Sequence, residues 1–156
     1  MERGAAQLKL TLWSFFALSL LLLPSLEATN VRYCDKKFYP VKVQGVDISP
    51  DPVVSGNPAT FTISASSDQA ISGGKFVIDV SYFGVHVHTE THELCEEASC
   101  PIAVGDFVLS HSQTLPGFTP PGSYTLKMKL EDEGNQLLTC ISFSFKIGFG
   151  SSVSDG

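Results

Sequence analysis

The chain is short of tryptophan, of charge and of any second long apolar run. Its single Trp is Trp13, and only 17% of its 156 residues are charged. Acidic residues outnumber basic ones by 16 to 10, for a formal charge of −6. A nucleic-acid binder needs a basic face to displace phosphate counterions, so that class is excluded. Electrostatic docking on anionic membranes is disfavoured as a main mode on the same ground. There is no Gly-x-Ser-x-Gly elbow, and no Gly-rich phosphate loop ahead of a helix. Nor is there a Cys-x-x-Cys pair of the kind structural zinc sites use, or an Asn-x-Ser/Thr acceptor for N-glycosylation. The acidic clusters Glu96-Glu97 and Glu131-Asp132-Glu133 lie in polar loops and are read as solvated charge. No enzyme activity, cofactor or metal is expected from these motifs.

What is present falls into two unequal parts. Leu10 to Leu23 is an apolar run preceded by Arg3 and Lys9 and followed by Pro24 and Leu26-Glu27-Ala28. Its 14 residues are too few for a membrane span, which takes about 20, but suit a secretory signal cleaved after Ala28. Removing residues 1–28 from 156 leaves 128, enough for one domain with a real core. We divide the chain into a signal (1–28), a domain (29–149) and a flexible tail (150–156). All four cysteines, Cys34, Cys95, Cys100 and Cys140, fall in the mature part, and an even count behind a signal implies disulfides. Three pairings are possible. A local Cys95–Cys100 bridge is the simplest, and it leaves Cys34 for Cys140. The signal directs the chain to the secretory pathway, with extracellular space (or apoplast), vacuole and endomembrane lumen as destinations. Its Ser-Asp-Gly end carries no ER-retention signal.

Beyond the signal the pattern is strands and turns. Ala59, Phe61, Ile63 and Ala65 alternate with Thr60, Thr62 and Ser64; Phe76, Ile78, Val80 and Tyr82 alternate with Val77, Asp79, Ser81 and Phe83. Tyr124, Leu126, Met128 and Leu130 alternate with polar residues, and Ile141, Phe143, Phe145 and Ile147 do the same. Period-two alternation marks half-buried antiparallel strands. Weaker strands fall at Val41–Ile48, where the apolar face shifts around Gly45 as at a bulge, at Val85–Leu94 and at Val104–Ser110. Pro/Gly/Asp/Asn clusters separate the runs, and Asp132-Glu133-Gly134-Asn135 reads as a hairpin turn. Seven or eight such strands specify an all-β fold, a two-sheet sandwich with a barrel as the alternative. Phe61, Phe76, Tyr82, Phe107, Tyr124, Met128, Phe143 and Phe145 crowd its inward faces; composition alone does not separate a packed core from a lined cavity. The segment His86-x-His88-x-Glu90-x-His92 sets four polar residues on one face of a strand, a spacing open to zinc or copper. A solvated edge-strand face is its plainer reading.

The order of motifs is itself informative. After Cys34 come GVDISPDPV at 45–53 and PATFTISA at 58–65, then GGKFVIDVSYFGV at 73–85. Leu94-Cys95-x4-Cys100-Pro101-Ile102 follows, then Pro120-Pro121-Gly122-Ser123-Tyr124 with a later Cys140. Across Val31–Ile147 this resembles the ML family, the lipid-recognition domains related to the myeloid differentiation lipopolysaccharide co-receptor and the Niemann–Pick type C cholesterol-binding protein. Within it the chain looks most like the plant and fungal phosphatidylglycerol/phosphatidylinositol transfer proteins. The resemblance implies an immunoglobulin-like two-sheet sandwich splayed around an apolar lipid cavity, with bridges Cys34–Cys140 and Cys95–Cys100. It makes cavity-lining candidates of Phe61, Ile63, Phe76, Ile78, Val80, Tyr82, Phe107, Tyr124, Leu126, Met128, Ile141, Phe143 and Phe145. It sets the mouth at 84–89 and 107–118, with Val85, Val87 and Phe118 as candidates. His86, His88 and His92 depart from the family pattern. The expected role is uptake and intermembrane transfer of phospholipid or sterol by a monomer touching membranes transiently; the alternative is a lipid-dependent extracellular recognition module without transfer. Lys75 is a candidate local partner for an anionic lipid.

Overall fold

Among the described residues there are nine strands and one helical turn, most of the strands built on alternating side chains. The computed structural model describes residues 29–35 and 37–149; the expected signal (1–28), the expected tail (150–156) and Lys36 lie outside them. The strands are β1 (Val31–Tyr33), β2 (Val41–Ser49), β3 (Val53–Val54), β4 (Pro58–Ser67), β5 (Gly74–Tyr82) and β6 (Val85–Glu93). The turn α1 (Leu94–Glu97) is followed by β7 (Gly105–Thr114), β8 (Gly122–Asp132) and β9 (Leu137–Gly148). One sheet runs β1-β9-β8-β5-β6, with β3 added in parallel beside β9; the other runs β2-β4-β7. Among the described residues all other pairings are antiparallel. The fold is therefore the expected all-β, two-sheet sandwich.

The inward faces meet as the alternation requires. Phe61 of β4 packs edge-on against Phe145 of β9, with ring centroids 5.4 Å apart, and lies 6.2 Å from Phe143. Ile63, Phe76, Met128, Leu130 and Ile141 complete the buried layer. The register of β2 against β4 slips between Val43 and Gly45, at the bulge the sequence suggested. The Asp132–Gln136 turn joins β8 to β9, and Asp132 Oδ1 accepts from the Gly134 and Gln136 amides at 2.9 and 2.8 Å. Both disulfides have the expected pairing: Cys34–Cys140 ties the chain after β1 to β9, and Cys95–Cys100 closes the loop after α1.

Two short strands escape the pattern. With three and two residues, β1 and β3 are too brief to show a period, and pairing with β9 alone makes them strands. The hairpin between β5 and β6 turns one residue earlier than the alternation suggests, which carries the strand through Phe83. Phe83 leaves the strand and, with Gly84, forms a two-residue loop in which both φ values are positive, 49° and 81°. Such loops match the twist of the strands they join, but they favour Asn or Gly at the first position. A phenylalanine there is strained; the residue is 73% exposed, with an edge contact to the Tyr82 ring, centroids 4.5 Å apart.

Candidate functional site

The two sheets do not close on each other along their whole length. β6 is the edge of the larger sheet and β7 the edge of the smaller; between them opens a cavity of about 520 Å³. That lies within the range of small-molecule pockets, about 300–1,000 Å³. Its walls come from both sheets. Ile78, Val80 and Tyr82 of β5, Tyr124 and Leu126 of β8, and Phe145 and Ile147 of β9 form one side, facing Phe61 of β4. Leu115, Pro116, Phe118 and Pro120 of the β7–β8 loop form the far wall, and Val87 the near one. Phe118, 87% exposed, and Val87, 52% exposed, stand on the rim. Phe83 and Val85 are exposed on the adjoining hairpin, outside the cavity wall.

The outer loop is fixed by two tyrosines that also line the space. The Tyr82 hydroxyl donates to the Pro121 carbonyl at 2.9 Å, and the Tyr124 hydroxyl to the Pro120 carbonyl at 2.7 Å. Their rings stack at 4.5 Å, and Tyr124 stacks in turn on Phe145 at 5.7 Å. Burial, with Tyr82 adding to it, raises the Tyr124 pKa, so that phenol stays a donor. Gly122 follows directly, at φ 136°, with the Tyr82 ring 3.2 Å from where a Cβ would stand. A side chain there would push the ring off the proline carbonyl.

Sequence alternation identified the inward faces but not where the sheets part. Of the lining candidates, Phe61, Ile78, Val80, Tyr82, Tyr124, Leu126 and Phe145 border the cavity. Ile63, Phe76, Phe107, Met128, Ile141 and Phe143 do not; apart from the half-buried Phe107, they belong to the close-packed layer beyond it. Of the mouth candidates Val87 and Phe118 border it and Val85 does not. Lys75 lies outside the cavity wall, paired with Glu131 at 3.6 Å, and its position opposite Glu93 puts it at the end of β5 remote from the rim.

The histidine strand needs correction. The register of β6 against β5 slips between His86 and His88, a bulge at Val87 that reverses the facing of everything before it. His86 therefore turns to the outer face. There its Nε2 lies 2.6 Å from the Thr89 hydroxyl and 3.4 Å from Asp79. His88, Glu90 and His92 face inward and meet residues the sequence reading did not assign. His111 of β7 is 8% exposed in its side chain, with Nδ1 3.2 Å from Glu97 and Nε2 3.2 Å from Gln113 Oε1. Gln113 donates to Glu90 Oε1 at 2.9 Å, and Glu90 also meets His88 at 3.1 Å and His92 at 3.3 Å. Burial raises the Glu90 pKa, but hydrogen bonds from His88 and His92 outweigh it and hold the carboxylate below its ordinary value. Glu97 is thus not simply solvated: Leu94, fully buried, pins α1 so that Glu97 reaches His111. The alternation Leu109–His111–Gln113 on β7 was the signal available for His111, and it becomes legible only once β7 extends to Thr114.

A two-sheet sandwich opened at one edge around an apolar space, rimmed by exposed aromatic and aliphatic side chains, defines a binding protein for apolar ligands. The chain belongs to the ML-domain family, whose profile matches residues 28–147. It is 34% identical over 146 residues to the MD-2-related lipid-recognition protein ROSY1 of Arabidopsis thaliana, covering 87% of this chain and 89% of that protein. It is 30% identical over 118 residues to a phosphatidylglycerol/phosphatidylinositol transfer protein of Aspergillus oryzae, covering 71% and 67%. The fold is that of a Niemann–Pick type C2 protein from the Japanese carpenter ant, with TM-score 0.62 and 16% identity over 76% of this chain and 99% of that one. Chicken MD-1, solved with lipid IVa, follows at TM-score 0.50 and 19% identity over 76% and 97%.

Proposed function

We propose that this protein is a lipid carrier of the secretory pathway, secreted or lumenal, that takes up a phospholipid or sterol and transfers it between membranes without converting it. The observation that carries this reading is the apolar cavity between β6 and β7 with its exposed rim of Val87 and Phe118. Each methylene withdrawn from water is worth about 0.8 kcal/mol. An acyl tail or sterol body seated against Phe61, Val80, Tyr124, Leu126 and Phe145 is therefore held without covalent chemistry, and a polar head group remains at the rim. The names of the ML-domain relatives support the same assignment.

The test is to purify the chain from a eukaryotic host, extract it with solvent and identify the lipid by mass spectrometry. Transfer of fluorescent phospholipid and sterol between vesicles is then measured. A bound lipid with faster transfer is the expected result. A bound lipid without transfer would make the protein a recognition module. Neither lipid nor transfer would remove the reading.

A further inference from the structure

We propose that Glu90, His92 and His111 form a binding site for a divalent transition-metal ion of the zinc class at the inner end of the cavity. One donor atom from each lies within 4.8 Å of the other two. His92 Nε2 is 3.3 Å from Glu90 Oε2, and His111 Nε2 is 4.0 Å from the same oxygen. Tetrahedral coordination with bonds of about 2.0–2.1 Å places ligand atoms about 3.3 Å apart. The Glu90–His92 edge already has that length, and modest side-chain rotation closes the others. Two nitrogens and one carboxylate oxygen with a fourth position open is a donor set that suits zinc.

Two further observations separate this cluster from a chance grouping of polar residues. The first is its support. His111 Nδ1 faces Glu97 Oε1 at 3.2 Å, the carboxylate–histidine arrangement that leaves Nε2 for a metal. The ring of Phe76, fully buried, stacks on His92 at 5.3 Å and meets His111 edge-on at 5.9 Å, fixing both planes. The second is a hydrogen-bond conflict. The other nitrogen of His111 faces Gln113 Oε1 at 3.2 Å, because the Gln113 amide nitrogen is committed to Glu90 Oε1. A neutral imidazole carries one N–H, so with acceptors on both sides one contact sets acceptor against acceptor. Reversing the Gln113 amide only moves the conflict to Glu90. Either a second proton on the imidazole or a metal ion at His111 Nε2 removes it, and the metal-binding experiment below separates the two.

The ligands come from both edge strands, two from β6 and one from β7, so the ion would tie the two sheets together beside the cavity. Glu90 and His111 are also part of the cavity wall, which leaves the remaining coordination position to Gln113 Oε1, to water or to an oxygen of the bound ligand. The site does not depend on the lipid assignment and is tested without lipid.

The experiment uses tag-free, delipidated protein dialysed against Zn²⁺ and then against buffer, with retained metal counted by mass spectrometry. Calorimetry gives the affinity, and Co²⁺ reports the coordination geometry through its visible bands. One ion per chain and tetrahedral-type Co²⁺ bands are expected. Stoichiometric binding should be lost in His92→Gln and Glu90→Gln, whose folding is checked by circular dichroism, and kept in His86→Gln. Glu97→Gln should weaken binding about 10–100-fold by releasing the His111 ring. No retained ion at micromolar Zn²⁺ would overturn the proposal. So would binding undiminished in His92→Gln and Glu90→Gln, or binding lost in His86→Gln alone.

Discussion

Filling the cavity from its wall is the most direct way to ask whether the space between β6 and β7 is the lipid site. Val80 is half-buried, sits mid-strand on β5 between Leu126 of β8 and His88 of β6, and borders the cavity. Val80→Phe adds about four carbons to a side chain pointing into that space, displacing about four methylenes of ligand. At about 0.8 kcal/mol each, the loss is about 3 kcal/mol, or about 100-fold in affinity. In a close-packed core the same change would cost about 1–3 kcal/mol of stability through strain; facing a cavity, it should leave the melting temperature nearly unchanged. Val77→Phe, on the opposite face of the same strand, is the control. The assay is fluorescent-lipid titration alongside thermal unfolding. Unchanged uptake in a folded Val80→Phe protein would refute the site assignment, and a large drop in melting temperature would refute the cavity.

Phe83→Asn should leave stability within about 1 kcal/mol, since relief of left-handed strain offsets loss of the ring contact with Tyr82 at 4.5 Å, while weakening vesicle binding about 10-fold or more. Flotation with liposomes and thermal melts read the two effects, and a parallel change in both would discount a membrane role for the hairpin. Removing Cys34–Cys140, which spans 106 residues, should cost about 4.8 kcal/mol in the chain-entropy model; Cys95–Cys100, spanning 5, should cost about 2 kcal/mol. Denaturant melts of the paired Cys→Ala variants test that order. The Thr89 hydroxyl, 2.7 Å from Asp79 Oδ1, holds the Asp79 pKa below 3.8 against partial burial, with His86 assisting. A carboxyl depressed in the folded state stabilises above its unfolded pKa, and the benefit disappears as pH falls through the folded value. Asp79→Asn should therefore flatten the acid limb of the stability curve below about pH 4, leaving its basic limb unaltered. Gly122→Ala should loosen the 116–121 loop and lower lipid retention, measured as a faster off-rate.

The sandwich was legible because alternation is a strong signal in strands of nine to twelve residues, as in β5, β8 and β9. The bulge at Gly45 was legible for the same reason: the apolar phase visibly changes there. The bulge at Val87 was not, since β6 is polar on both faces and a phase shift among exposed residues leaves no hydrophobic trace. That one slip moved His86 away from His88 and His92. His111 was missed because its role depends on β7 lying across from β6, a contact between sheets that no strand-local pattern contains. The cavity had the same character. Phe61 and Ile63 share an inward face two residues apart, yet only Phe61 borders the opening. Where the sheets part is set by relative sheet placement, not by residue type.

The sandwich is joined by backbone bonds along one margin and, across from it, at the Ile71–Ile102 bridge ahead of β5 and β7. Along the first margin β3 crosses to pair with β9, and backbone bonds such as Ser55 N–H to the Gly148 carbonyl stitch the sheets together. Between that bridge and the rim, β6 and β7 pair through no backbone bond among the described residues; Gln113 of β7 reaches Glu90 of β6, and His111 reaches Glu97 of α1. Each such contact is worth about 0.5–3 kcal/mol. Widening the space at the rim for a methyl branch or a sterol ring would therefore exchange a few side-chain contacts, between limits set by the backbone joins. The girth of a ligand would then be met by a change of angle at that open edge.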